Sequence, residues 1–239
     1  MSHPTVRKPR IAQIASENQE FIKSFPDNLY DRSTGVYYAP VPSKELFHGI
    51  EQAHADGLLG QGIKIAILDT GLMLSHPWIQ RSVIESTDFT GEGLEDRNGH
   101  GTAVAFVTLV TAPASEILNV KCFKQSGRAN EFDVKRGLKW CMDRGIAVIN
   151  ISGGVYDTSC RGDCNLCQLA IQVGQSGPMI LVAAGNDPSE PLCPGKAGFK
   201  SDHVWVVGAY DATKGKIAEY SAKGEIYGDV GNWHRIPIS

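Results

Sequence analysis

The 239 residues are enough for one sizeable α/β domain, and 42% hydrophobic with 21% charged residues is the composition of an ordinary soluble globular protein. A formal net charge of −3 gives no reason to expect nucleic acid or an anionic membrane as partner. No apolar run approaches the roughly 20 residues of a membrane span, and the start, Met-Ser-His-Pro-Thr-Val-Arg-Lys-Pro-Arg, has no apolar stretch behind its positive charge. It does not read as a secretory signal, so a cytoplasmic location is expected.

Residues 1–44 are polar and mixed, with Pro26, Pro40 and Pro42 interrupting any helix, and read as an N-terminal extension ahead of a domain over 45–239. Glu45–Ala55 predicts a short helix, ended by the turn Gly57-Leu-Leu-Gly60-Gln-Gly62. Five apolar runs then predict buried strands: Ile63–Leu68, Ile117–Phe123, Ala147–Ile151, Met179–Ala184 and His203–Gly208. Helices are expected over Thr102–Thr111, Glu131–Arg144 and Leu166–Gln175. Near-continuous apolar strands alternating with helices imply a three-layer α/β fold, a central and mostly parallel sheet covered on both faces. In such sheets, ligand sites gather beyond the carboxyl ends of the strands. Asp69, Gly153 and Asn186 each come just after such an end.

Asp69 alone would read as a turn former or helix cap. Gly71 allows a tight exit from the strand, and Ser75-His76-Pro77 follows soon after. His100 alone would read as a surface residue. It is flanked by Gly99 and Gly101 and opens an apolar helix expected to be buried, which would hold the ring while its neighbours allow close approach. Asn186, in Ala183-Ala184-Gly185-Asn186-Asp187, would alone be a common turn residue.

Acid, then histidine, then turn amide, in that order, resembles the subtilisin-like serine proteases. Asp69-Thr-Gly-Leu-Met-Leu-Ser-His76-Pro is similar to that family's acid motif, and His100-Gly-Thr to its base motif. The resemblance implies that Asp69 holds one ring nitrogen of His100, and that Asn186 donates to the oxygen that becomes negative in the tetrahedral intermediate. It also implies that Asn150-Ile-Ser152-Gly153-Gly154 lines a specificity pocket and that Ser126-Gly127 forms the opposite wall, with Gly185 beside the amide. An extended peptide or protein segment would add there as a strand. No cofactor is required for such catalysis. Residues 1–44 look too short and irregular for the family's full pro-domain, so a short pro-segment or covering arm is expected. One departure is Phe106, which stands where the family has Gly in His-Gly-Thr-x-Val-Ala-Gly and needs room against the next element.

Cys160-x₃-Cys164-x₂-Cys167 is the second unusual feature, with Cys193 following in Leu192-Cys193-Pro194-Gly195. Three close cysteines and a fourth can bind a structural zinc tetrahedrally, form two disulfides, or remain thiols. A reducing compartment favours metal or thiols. The subtilase resemblance implies that the loops after Gly154 and Asn186 border one pocket, bringing Cys193 near the other three. Cys122 and Cys141 read as buried core thiols.

The nucleophile is the remaining question. The family places it in Gly-Thr-Ser-x-Ala, and no Gly-Thr-Ser occurs in the sequence. Ser189, Ser201, Ser221 and Ser239 follow Asn186, none in that context. The expectation is a subtilisin-like endopeptidase domain, C-terminally incomplete, whose serine comes from another chain or segment. The alternative is a non-catalytic relative that binds peptides or a protein partner.

Overall fold

The computed structural model describes residues 30–31, 36–37, 44–211 and 214–222. Its centre is a six-stranded sheet of β1 (Lys64–Asp69), β2 (Val83–Asp88), β3 (Glu116–Lys121), β4 (Val148–Ile151), β5 (Met179–Ala183) and β6 (Val204–Val207). The strands lie in the order β2-β3-β1-β4-β5-β6, and every neighbouring pair is parallel. The helices are α1 (Lys44–Ala55), α2 (Pro77–Ser82), α3 (His100–Thr111), α4 (Glu131–Cys141) and α5 (Asn165–Gln175), with a 3-10 turn at Gly195–Phe199.

Side chains alternate across a strand, so a strand covered on both sides must be apolar at every position. In β1, Ile65 and Ile67 enter one core with Leu72, Ile79, Ala105 and Leu109, beneath α2 and α3. Ala66 and Leu68 enter the other with Val134, Leu138, Leu166 and Val173, beneath α4 and α5. This is the three-layer architecture expected from the sequence.

The chain leaves β1 for β2 and β3 on one side, then crosses back to β4, β5 and β6 on the other. The strand order therefore reverses at β1, and its carboxyl end opens on the crevice where parallel sheets place ligands. Asp69 is the last residue of that strand, not the first of the turn.

Several boundaries differ from expectation. α3 begins at His100 instead of Thr102, because Gly99 takes a left-handed φ of 96° as its cap. It is less buried than its composition implies. Gly101, Ala105 and Leu109 form its inward stripe, while Val107 is 42% exposed. α4 stops at Cys141, since Met142 is extended and Asp143 and Gly145 have positive φ. Sequence periodicity missed α2 and β2. β2 (Val-Ile-Glu-Ser-Thr-Asp) is an edge strand with a single neighbour, so half of it can be polar. α2 is short and starts on Pro77, with His76 as its cap. The predicted extension over 1–44 lies outside the described residues, apart from the pairing of Tyr30–Asp31 with Val36–Tyr37 and the first residue of α1. The region beyond Ala222, including Ser239, also lies outside them.

Candidate functional site

β1 delivers Asp69 and the start of α3 delivers His100. The Asp69 carboxylate is 1% exposed and meets Nδ1 of His100 through Oδ1 at 2.8 Å. The same oxygen accepts the Thr70 N–H at 2.7 Å. Oδ2 is buried and has no hydrogen-bond partner among the described residues. The His100 side chain is 41% exposed, so the ring is held at one nitrogen and open at its other edge. The hydrogen bond to Asp69 raises the His100 pKa above its ordinary value; burial opposes the shift, and the charges of Asp69 and Asp96 add to it.

What places the ring is a second carboxylate that sequence reasoning passed over. Asp96 is 8% exposed. Its Oδ1 accepts from Thr70 Oγ1 at 2.9 Å and from the N–H groups of Asn98 and Gly99 at 2.9 and 2.8 Å. Its Oδ2 accepts from the N–H and hydroxyl of Thr102 at 2.9 and 2.6 Å. Thr70 Oγ1 in turn accepts the Gly101 N–H at 3.0 Å. One acid thus ties the turn after β1 to the first turn of α3, where negative charge also suits the free N–H groups. The available signal was an acid just ahead of a helix start in Asp96-Arg-Asn-Gly-His100.

The approach of α3 to β1 depends on glycine. A Cβ at Gly101 would lie 2.3 Å from the Gly71 carbonyl and 3.1 Å from Asp69 Cβ. Gly101→Ala is therefore expected to push α3 outward and to destabilise the protein by about 3 kcal/mol or more. Denaturant unfolding measures it, and a change under 1 kcal/mol would show that the helix is not clamped there. Phe106 finds its room against His76, ring edge to ring face at 4.8 Å. The His76 Nδ1 accepts the Trp78 N–H at 3.3 Å, and burial lowers its pKa. His76 is thus engaged as a helix cap, consistent with His100 being the ring paired with the acid.

The other predicted residues form one connected rim at the carboxyl end of the sheet. Asn98 Nδ2 donates to the Gln125 carbonyl at 2.9 Å, tying the His100 turn to the exposed Ser126-Gly127 turn after β3. Phe123, at the base of that turn, lies so close to Gly153 that a Cβ there would stand 2.4 Å from its ring. Ser152 Oγ accepts from Asn150 Nδ2 at 2.8 Å. Gly154 packs on the Cys193 carbonyl, 2.3 Å from where a Cβ would be. Gly185, with φ of 108°, lies against Leu192 and turns the chain out of β5. Asn186 follows it, exposed, beyond the strand next to β4. The structure thus sets Asp69 at the end of β1, Ser152–Gly154 and Gly185–Asn186 beyond the adjacent β4 and β5, and Ser126 and Gly127 beyond the neighbouring β3.

The four predicted cysteines also come together. The Sγ atoms of Cys160, Cys164, Cys167 and Cys193 lie within 4.8 Å of one another, and all four are unbridged. Cys193 is brought down to about 7, mainly by the hydrogen bond from Cys167, against burial, with the Lys196 charge helping. Cys122 and Cys141 are buried core thiols, as expected. Burial pushes Cys141 up to about 12.

The described serines that follow Asn186 are committed elsewhere. Ser189 Oγ donates to Asp187 at 2.6 Å, and Ser201 Oγ accepts the His203 N–H at 3.3 Å. Ser221 is fully buried, accepting from the Ala209 N–H at 3.0 Å.

A family model described as the subtilase family, peptidase S8, matches residues 60–235. The chain is a subtilase. This subtilase is 31% identical over 189 residues to subtilisin DY of Bacillus licheniformis, covering 74% of the chain and 66% of the relative. It is 30% identical over 155 residues to a thermostable alkaline protease of Halalkalibacterium halodurans, covering 61% of the chain and 42% of the relative. It therefore spans between two fifths and two thirds of the length of these relatives. Among solved structures, the prenylagaramide maturation protease PagA superposes with a TM-score of 0.62 at 24% identity, over 75% of this chain and 65% of that one. A cold-adapted subtilisin-like serine proteinase superposes with a TM-score of 0.60 at 23% identity, over 71% and 62%. These likenesses establish the subtilisin-like fold.

Proposed function

We propose that this subtilase chain carries the acid, base and oxyanion donor of a serine endopeptidase, and that the nucleophile is contributed by a segment outside these 239 residues. The observation that carries the reading is the 2.8 Å contact between buried Asp69 and the half-open ring of His100. Asp69 fixes the tautomer and stabilises the imidazolium, while the open ring edge takes the proton from an attacking hydroxyl. Asn186 is the donor to the developing oxyanion. Such a side-chain donor is worth about 10²–10³ in rate, a figure measured in subtilisin itself. A peptide lies extended between Ser126–Gly127 and Ser152–Gly154, bonded by main-chain groups.

A fluorophosphonate probe tests the assignment of the nucleophile. The full-length gene product is expected to take the label on a serine in a Gly-Thr-Ser context, and the 239-residue chain to take none. Labelling of Ser189, Ser201 or Ser221 in the chain alone would overturn it. The absence of Gly-Thr-Ser from the sequence also supports a second reading, in which the same groove binds peptides without cutting them. Under that reading the full-length product stays unlabelled, yet still binds peptides, and Ser126→Trp weakens them at least about tenfold by blocking one wall.

A further inference from the structure

The cysteine cluster plays no part in the proposed hydrolysis, and its geometry is that of an ion site. All the mutual distances among the four Sγ atoms are 4.8 Å or less, and Cys160 and Cys167 are 3.8 Å apart. A single tetrahedral zinc, with Zn–S bonds of about 2.3 Å, holds its sulfurs about 3.8 Å from each other. Two disulfides require only two short distances, near 2 Å, and no mutual approach of the pairs. A multi-iron cluster hangs its cysteines on separate irons and spreads them more widely.

The surroundings are built for thiolate charge. Cys160 Sγ accepts the N–H of Gly162 at 3.2 Å and that of Cys164 at 3.4 Å. Gly162 makes this turn with φ of 86°, and its Cα faces the Lys196 carbonyl so closely that a Cβ would stand 2.5 Å from it. Lys196 is wholly buried beside the cluster. Its ammonium donates to the carbonyls of Asp157 at 2.6 Å and Cys160 at 3.4 Å, and pairs with Glu190. Cys160 and Cys164 lie on the loop entering α5, Cys167 lies in the first turn of that helix, and Cys193 lies on the segment leading to the 3-10 turn. Polar donors to the sulfurs and a buried cation are the outer-shell features that tune a thiolate metal site.

We propose that Cys160, Cys164, Cys167 and Cys193 bind one structural zinc ion that staples the two loops bordering the candidate peptide groove. Four S–H bonds give way to four Zn–S bonds, the protons leave to solvent, and no electron is transferred. The site is closed, with no coordination position for substrate. Its mechanical consequence runs through Val155 and Cys193, whose backbones exchange hydrogen bonds of 2.9 Å in both directions. The ion thereby fixes the Cys193 carbonyl on which Gly154 rests. The metal site stands on the cysteine geometry alone, whether or not the groove belongs to a working peptidase.

The test uses the full 239-residue chain, produced and purified under reducing conditions without chelator. Elemental analysis is expected to find one zinc per chain. Replacement by Co²⁺ should give thiolate charge-transfer bands and the d–d absorption of a tetrahedral four-sulfur site. Cys164→Ser and Cys193→Ser should each lower Co²⁺ affinity at least about tenfold, while Cys141→Ser, altering a core thiol outside the cluster, should leave stoichiometry and spectrum unchanged. Zinc removal should lower the melting temperature of the parent chain and speed protease cleavage in 155–165. Less than a tenth of an equivalent of zinc with no Co²⁺ uptake, iron at one equivalent, or mass-mapped disulfides persisting in reductant would each overturn the proposal.

Discussion

Asp69→Asn in the full-length gene product is expected to lower turnover by about four orders of magnitude while leaving KM within a few fold, and His100→Ala to do at least as much. The asparagine keeps the shape of the side chain but cannot hold His100 in the tautomer that presents a basic nitrogen outward, nor stabilise the imidazolium. A pH measurement separates this effect from simple misfolding. His100 has its pKa raised in the fold, first by the hydrogen bond to Asp69 and then by the charges of Asp69 and Asp96, against burial. As the proposed base it must be neutral, so activity should climb as pH rises past that elevated value. In Asp69→Asn the midpoint of the His100 ring, followed by NMR, should fall toward the ordinary value of about 6.5, and the residual acid limb should fall with it. The stability linkage has the matching sign. The contribution of the Asp69–His100 pair is complete below the unfolded value and is lost as pH rises through the folded one. A ring midpoint unchanged by Asp69→Asn would mean that the carboxylate is not what holds the imidazole.

Asp96→Ala should cost about 3–5 kcal/mol of stability in denaturant unfolding, the largest loss expected from a single substitution outside the cores. Five donors, from Thr70, Asn98, Gly99 and Thr102, close on this one carboxylate. Truncation leaves them buried or half-buried without it. Asp96 is a positioning residue, because it acts on His100 through the first turn of α3. The variant should therefore also lower the His100 ring midpoint, and kcat should fall far more than KM rises. Asp96→Asn, which keeps the shape and part of the hydrogen bonding, should recover a share of both losses. A destabilisation below 1 kcal/mol would show that the carboxylate network is not what seats the helix.

The two expectations rest on different degrees of legibility. Asp69 and His100 could be read from the chain because both stand in short segments that resemble the subtilase acid and base motifs, with glycines and flanking apolar runs that restrict what the backbone can do. Asp96 could not, since an acid before a helix start is common, and only the meeting of two distant turns shows that a single carboxylate serves both. The same contrast holds for the strands. β1, β3, β4, β5 and β6 are read within one or two residues because each centres on apolar residues that pack into the two cores. β2 escaped because an edge strand is free to be polar on its open side.

Taken alone, the order of residues determined the fold class, the family, the acid–histidine pairing and the identity of the four cysteines. The fold class follows from the period of apolar residues and the cysteines from their spacing, while the family and the pairing follow from short motifs that resemble those of the subtilases; each signal acts over a few positions along the chain. Tertiary structure decided the rest. It set β1 at the reversal of strand order, so that Asp69, the Ser152–Gly154 loop and Asn186 share one edge. It gave Phe106 its partner in His76, and it closed four sulfurs to within 4.8 Å. Each of these depends on contacts between segments tens of residues apart, whose geometry is fixed only when both cores pack around the sheet.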